Sequence, residues 1–300
     1  MFLFPGQGAQ YLGMTKGVSH LPAVQKLYDV ASTVLDFDVR SVCLNGPQAT
    51  LDETIHCQPA VVLASLAAVE QLKLKSPEMF DGCKAAAGFS VGELTALIFA
   101  GALTLEGGLQ VVDARAKAMQ LACKEHPGGM LSVIGMQENA LQQLCCEAEK
   151  EGHGTVCVAN YIFPKGFVLS GSTSSLQFIR RKLQTIRNVR VKELAVSGAF
   201  HSPLMSTAVQ LLKDALSRVE VATPRIPVYS NVTGQQYTSR DEIVHNLCAQ
   251  VTHPVLWNLT IDNVLKNKPD TRFVEVGPGR QLRTILKQIS GTAYCESFDV

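Results

Sequence analysis

From Met1 to about Glu125, short apolar runs alternate with longer amphipathic segments. Met1–Phe4 predicts a strand that gives way to a glycine turn. Gln58–Lys75, rich in Ala, Val and Leu, predicts a helix. Ala85–Phe89 predicts a short strand, and Val91–Ala100 a helix closed by Gly101. Thr104 then stands where an N-cap belongs, opening a helix that runs to about Lys124. This alternation predicts helices packed on a mostly parallel sheet.

The rhythm changes at His126-Pro-Gly-Gly129. Met130–Met136 reads as a strand and Gln137–Glu151 as a helix. Thr155–Asn160 and Phe167–Ser170 read as two strands split by Pro164 and Gly166. Ser174–Ile186 reads as a helix and Val189–Val196 as a last strand. The order β-α-β-β-α-β is that of a ferredoxin-like α+β unit. Beyond Ser197 the α/β alternation resumes: helix Leu204–Val219, strand Val228–Asn231, helix Arg240–Val251, strand Arg272–Val276 and helix Arg280–Ser290. The expected organisation is therefore a large α/β subdomain, residues 1–126 and 197–300, interrupted by a small subdomain at 127–196.

Composition narrows the function classes. Apolar residues make up 46% and charged residues 18%, which supports a large core and excludes global disorder. A net charge of +1 argues against a general nucleic-acid binder. Apolar stretches such as Pro59–Val69 are too short to span a bilayer, so no membrane span is expected. No signal peptide opens the chain, and any targeting segment is expected to have been removed. The nine cysteines are odd in number and include no Cys-x-x-Cys pair, so no disulfide framework is expected. Cys145-Cys146 with Cys157, and His56-Cys57, lack zinc-site spacing, and no metal is assigned.

The strongest chemical signal is Gly88-Phe-Ser90-Val-Gly92, between a predicted strand and a predicted helix. That is the setting of a nucleophile elbow, with the serine hydroxyl at a helix N-terminus. A serine nucleophile needs a base. Of seven histidines, His201 stands out in Gly198-Ala-Phe-His201-Ser-Pro203, just before a helix whose N-terminus disfavours imidazolium. Helical phase supplies a third residue. On the helix from Leu105, polar residues Gln110, Asp113, Lys117, Gln120 and Lys124 form one stripe. Arg115 falls outside it, beside Val112, Ala116 and Met119, on a face expected to be buried. A guanidinium there stays ionised and needs an anion, either an internal carboxylate or one arriving with a substrate. Phe4-Pro-Gly-Gln-Gly-Ala-Gln10 lacks the Lys-Ser/Thr of a phosphate loop, and Glu275-Val-Gly-Pro-Gly279 lacks the dinucleotide fingerprint. Both read as turns that bring backbone to a shared site.

Taken together, and in this order along the chain, these motifs resemble the malonyl-CoA:acyl carrier protein transacylases. Arg115 with Met119-Gln120, Gly129-Met130 and Ala199-Phe-His-Ser202 belong to the same resemblance, which spans nearly all of the sequence. The cysteine usage is more similar to a mitochondrial animal member than to a bacterial one, implying the mitochondrial matrix, with the cytoplasm as the alternative. The resemblance implies an α/β-hydrolase-like large subdomain with the site in the cleft beside the small one. It implies Ser90 as the acylated nucleophile, His201 as its base, and the backbone carbonyl of Gln250 as the group orienting the imidazole. Arg115 would bind the malonyl carboxylate, and the N–H groups of Gln10 and Val91 would form an oxyanion hole. Malonyl-CoA and acyl carrier protein would be the partners of a monomer. No cofactor would be needed, coenzyme A entering only as the substrate thioester.

Two positions depart from the family pattern: Phe89 stands where a histidine is common, and Asn160-Tyr-Ile-Phe-Pro-Lys-Gly166 lacks a second Asn and a Gln. Acyl carrier proteins are acidic. A docking surface is accordingly expected at Arg180, Arg181, Lys182, Arg187, Arg190 and Lys192, or along Arg280, Arg283 and Lys287. The rival readings are a serine thioesterase or esterase, which Gly-x-Ser-x-Gly fits equally but which has no use for Arg115, and a scaffold protein that has lost catalysis.

Overall fold

The computed structural model describes residues 1–300. In chain order its strands are β1 (Phe2–Phe4), β2 (Ala86–Gly88), β3 (Gly128–Ile134), β4 (Val156–Phe163), β5 (Gly166–Ser172), β6 (Arg190–Glu193), β7 (Val228–Tyr229), β8 (Val255–Leu256), β9 (Phe273–Val276) and β10 (Cys295–Phe298). One sheet has the order β10-β9-β1-β2-β7 and is parallel throughout. Helices cover it, so its strands carry no polar face: β1, β2, β7 and β9 are buried at every residue. The fold is α/β.

The second sheet has the order β6-β3-β5-β4-β8. Its first four strands pair antiparallel. The fifth, β8, runs parallel to β4 through Asn160–Val255 and Tyr161–Leu256. The sequence pattern predicts no strand at Val255–Leu256, two residues being too few to show a period. The consequence is that the second sheet is not confined to 127–196.

Two predicted helices start two or more residues from the expected position. The helix expected from Gln58 starts at Thr54 and runs to Lys75. Pro59, having no N–H, looks like a helix start, but near the end of a helix it removes only one bond. At 22 residues this helix is long and apolar enough to cross a membrane, contrary to the expectation from Pro59–Val69. Its apolar window is 78% buried in the core, where it packs against the Leu105–Glu125 helix. After His201 the chain makes a 3₁₀ turn, Pro203–Met205, before the helix Ser206–Leu216, because Ser202 Oγ accepts from Leu204 N–H. Thr104 does cap Leu105–Glu125, accepting from Gly107 N–H.

In the parallel sheet the chain leaves β1 for β2 and β7 on one side, and β9 and β10 lie on the other. The carboxyl ends of the strands flanking such a switch point open a crevice. All three glycine motifs follow these strands, and they pack together there. A Cβ at Gly92 would lie 2.3 Å from Phe4 O and 2.7 Å from Pro5 O. One at Gly6 would lie 2.4 Å from Phe89 O. The loops after β1 and β2 thus touch backbone to backbone. Glu275, the last acidic residue of β9, accepts from the N–H groups of Leu282 and Arg283 and caps the Gln281–Ile289 helix.

Gly92→Ala is expected to destabilise the protein by roughly 1–3 kcal/mol, since its methyl meets main chain that cannot rotate away. Gly17→Ala, whose methyl meets nothing within 4 Å, is the matched control and should unfold like the parent. Thermal unfolding of the pair checks this; equal midpoints would contradict the close approach.

Candidate active site

Ser90 follows β2 with φ of +53°, a left-handed conformation that is strained for a residue with a Cβ. Asn231, two residues beyond the end of β7, holds it there. Its Oδ1 accepts from Ser90 N–H at 2.7 Å, and its Nδ2 donates to Gly88 O at 2.7 Å. The turn opens the Gly92–Phe99 helix, and Ser90 Oγ stands at that helix's N-terminus. The N–H groups of Val91 and Gln10 donate to no acceptor within the protein. The Gln10 side chain folds back, its Oε1 accepting from Gly8 N–H and its Nε2 donating to Asp52.

His201 also has a left-handed backbone, φ +57°, and is 3% exposed. Its Nε2 lies 2.8 Å from Ser90 Oγ and its Nδ1 lies 2.8 Å from the carbonyl oxygen of Gln250. A carbonyl only accepts, so Nδ1 carries the proton and Nε2 is left with its lone pair toward serine. Burial and the charge of Arg115 pull the imidazole down to about 4, so the ring is neutral near pH 7.

Arg115 is buried, 2% exposed, as its helical phase requires. Nη1 donates to Gln58 Oε1 at 2.7 Å. Nη2 donates to Gln250 Oε1 at 2.7 Å and to Ser90 Oγ at 3.1 Å. No carboxylate touches it. Because Arg115 donates to Ser90 Oγ, the serine's own hydrogen is directed at His201 Nε2. Burial lowers the guanidinium to about 10, and Glu93 opposes that shift, leaving a cation at neutral pH.

Glu93, in the first turn of the helix, is the nearby counter-charge and is 1% exposed. It accepts from Tyr237 OH, from Gln250 Nε2 and, at 3.3 Å, from Asn231 N–H. Desolvation pushes it up to about 7 despite these donors. Gln250 therefore touches every member of the group. Its carbonyl holds His201, its Oε1 holds Arg115, and its Nε2 donates to Glu93 and, at 3.2 Å, to Ser90 O.

Ser90 and His201 line a cavity of about 210 Å³ between the two sheets. Its remaining walls are mostly apolar, with Phe89, Met130 and Ile162 among them. Phe89 packs edge-on against Trp257 at 5.5 Å. Asn160 also lines the cavity, buried, with an Oδ1 that has no partner. On the loop after β1 the cavity wall is Gln7. Of the expected basic surface, Arg180 and Lys182 are already paired, with Glu193 and Glu147.

Ser90, His201, Arg115 and Gln250 are thus brought into one hydrogen-bonded group, and Val91 adjoins it. Sequence reasoning assigned no role to Asn231, Glu93, Tyr237, Gln58 or the Gln250 side chain. Asn231 had a signal, being polar at the carboxyl end of an apolar strand. Gln58 had another, as an amide directly before the apolar run Pro59–Val69.

Residues 1–293 match the acyl transferase domain family. The mitochondrial malonyl-CoA-acyl carrier protein transacylase of Mus musculus is 47% identical over 296 residues, 96% of this chain and 78% of that protein. The Homo sapiens protein of the same description is 43% identical over 98% of this chain and 78% of its own length. A solved type II polyketide acyl-carrier protein in complex with its malonyl-transacylase superposes with a TM-score of 0.91 at 30% identity, covering 100% of this chain and 96% of that one.

With His201 neutral down to about pH 4, labelling of Ser90 by a fluorophosphonate should hold its rate from pH 8 to about 5 and fall only toward pH 4. His201→Ala should slow labelling by ~100-fold or more. A rate already halved near pH 6.5 would mean that the ring is not desolvated as described.

Proposed function

The chain belongs to the acyl transferase family, among the malonyl-CoA:acyl carrier protein transacylases, and from that premise we propose that it carries malonyl from coenzyme A to the phosphopantetheine thiol of acyl carrier protein through an ester on Ser90. The observation that carries this reading is Arg115: a buried cation bonded to the nucleophile itself, with no carboxylate in contact. A malonyl group esterified to Ser90 places its free carboxylate two carbons beyond the carbonyl, within reach of that guanidinium. Three of the five guanidinium N–H donors are engaged, and the others remain for the carboxylate.

In the first half-reaction Ser90 Oγ attacks the thioester carbonyl while His201 Nε2 takes its proton. The oxyanion forms against the free N–H groups of Val91 and Gln10, each worth about 3–4 kcal/mol of barrier. Collapse breaks the C–S bond, and His201 returns the proton to the departing coenzyme A thiolate. The carrier-protein thiol then enters, gives its proton to His201 and attacks the Ser90 ester. Serine recovers that proton as the new thioester forms. No triad carboxylate is required, because the Gln250 carbonyl already fixes the tautomer.

The same reading places the protein in fatty-acid synthesis in the mitochondrial matrix, following the mitochondrial description of the mouse and human relatives. It treats residues 127–196 as a ferredoxin-like subdomain inserted between 1–126 and 197–300, forming one wall of the cleft. The acidic partner is expected on basic side chains that lack internal carboxylates, either Arg181, Arg187, Arg190 and Lys192 or Arg280, Arg283 and Lys287.

Mass spectrometry after mixing with malonyl-CoA should find a malonyl adduct on Ser90 that acyl carrier protein discharges; steady release of malonate without any carrier would indicate a hydrolase. Arg115→Ala should lower malonyl transfer by ~30-fold or more, about 2 kcal/mol or above, with a much smaller effect on acetyl transfer. Equal losses would remove Arg115 from substrate recognition.

A further inference from the structure

The partners of Arg115 share a property that its charge alone does not require. Both side chains that fix the guanidinium fork, Gln58 and Gln250, are neutral amides, each 2.7 Å away through an oxygen. The one carboxylate nearby, Glu93, is held off. It bonds Gln250 Nε2 on the far side of the amide whose Oε1 faces the arginine. Gln58 is buried at 1% exposure, and its only other polar contact is a weak one from Nε2 to Met119 Sδ at 3.5 Å. A buried arginine ordinarily takes a carboxylate as its partner. A glutamate would fit the space of Gln58 atom for atom, yet the position carries an amide.

We propose that Gln58 is a specificity-determining residue: its amide oxygen orients the Arg115 fork without neutralising it, so that the countercharge is supplied by the acyl group. This rests on the reading that Arg115 receives the malonyl carboxylate. Gln58 lines the cavity beside Ser90, so a charge at this position would act directly on an arriving group. A carboxylate there would complete an ion pair in the empty site. An incoming malonyl would then compete with that pair and face an anion, whereas an acetyl group would meet a neutral wall. The selectivity of the site thus depends on one nitrogen standing where a second oxygen would fit.

The experiment compares Gln58→Glu, Gln58→Met and Arg115→Ala for malonyl and acetyl transfer, with fluorophosphonate labelling of Ser90 to report on the nucleophile. Gln58→Glu should lower kcat/KM for malonyl-CoA, relative to that for acetyl-CoA, by ~10-fold or more, chiefly through KM. Gln58→Met, which removes the acceptor but leaves the cation unpaired, should slow malonyl transfer and weaken the preference for malonyl, but less than Gln58→Glu does. A Gln58→Met enzyme with the parent's kcat/KM for malonyl-CoA would show that the amide oxygen does not orient the fork and would overturn the proposal even if Gln58→Glu failed to fold. So would a Gln58→Glu enzyme that keeps its preference while Arg115→Ala loses it. If Arg115→Ala keeps the preference, the underlying reading of the arginine falls first, and the role of Gln58 falls with it.

Discussion

The site is organised by one constraint: a guanidinium buried away from water must be satisfied without a carboxylate in contact. Leaving such a charge unmatched costs several kcal/mol, so the surrounding core is polar where it would otherwise be apolar. Gln58 directly precedes the apolar run of its helix, Gln250 ends the helix Arg240–Gln250, and Glu93 is buried on a third. None of these three side chains reaches solvent, and each is held by hydrogen bonds whose directions follow from what Arg115 can only donate. The same donations fix the hydrogens around Ser90. With Arg115 supplying a hydrogen to Ser90 Oγ, and Gln250 O accepting one from His201 Nδ1, a single proton arrangement remains, and it points the serine hydroxyl at His201 Nε2.

The fold contributes position. Ser90 and His201 both adopt left-handed backbone, a strain of order 1–3 kcal/mol each that the rest of the structure must hold in place. Asn231 does this for Ser90, at the end of the neighbouring strand, and close glycine packing between the loops after β1 and β2 leaves the turn nowhere to relax. The crevice at the switch point of a parallel sheet supplies the floor, and the antiparallel sheet, extended by β8, supplies the opposite wall of the cavity.

What was legible in the sequence divides along physical lines. The elbow was legible because glycine spacing and a strand-to-helix change are local. Arg115 was legible because helical phase needs only one segment. Helix Pro22–Val34 gave no such prediction, though Val24, Tyr28 and Ala31 form its buried stripe; it begins without a side-chain cap, at Leu21. Strands β8 and β10 are short and owe their existence to partners far along the chain, β4 and β9. For the same reason Asn231, Glu93 and Gln58 could not be joined to Ser90 in advance. Their partners lie 141, 157 and 57 positions away, and only the folded chain makes them neighbours.

The central claim is that Arg115 holds a charge in reserve for the acyl group. The most direct measurement is calorimetric binding of malonyl-CoA and acetyl-CoA to Ser90→Ala, which cannot turn over. The account predicts that malonyl-CoA binds at least ~30-fold more tightly, the equivalent of about 2 kcal/mol for pairing a buried cation. Equal affinities for the two thioesters would contradict it.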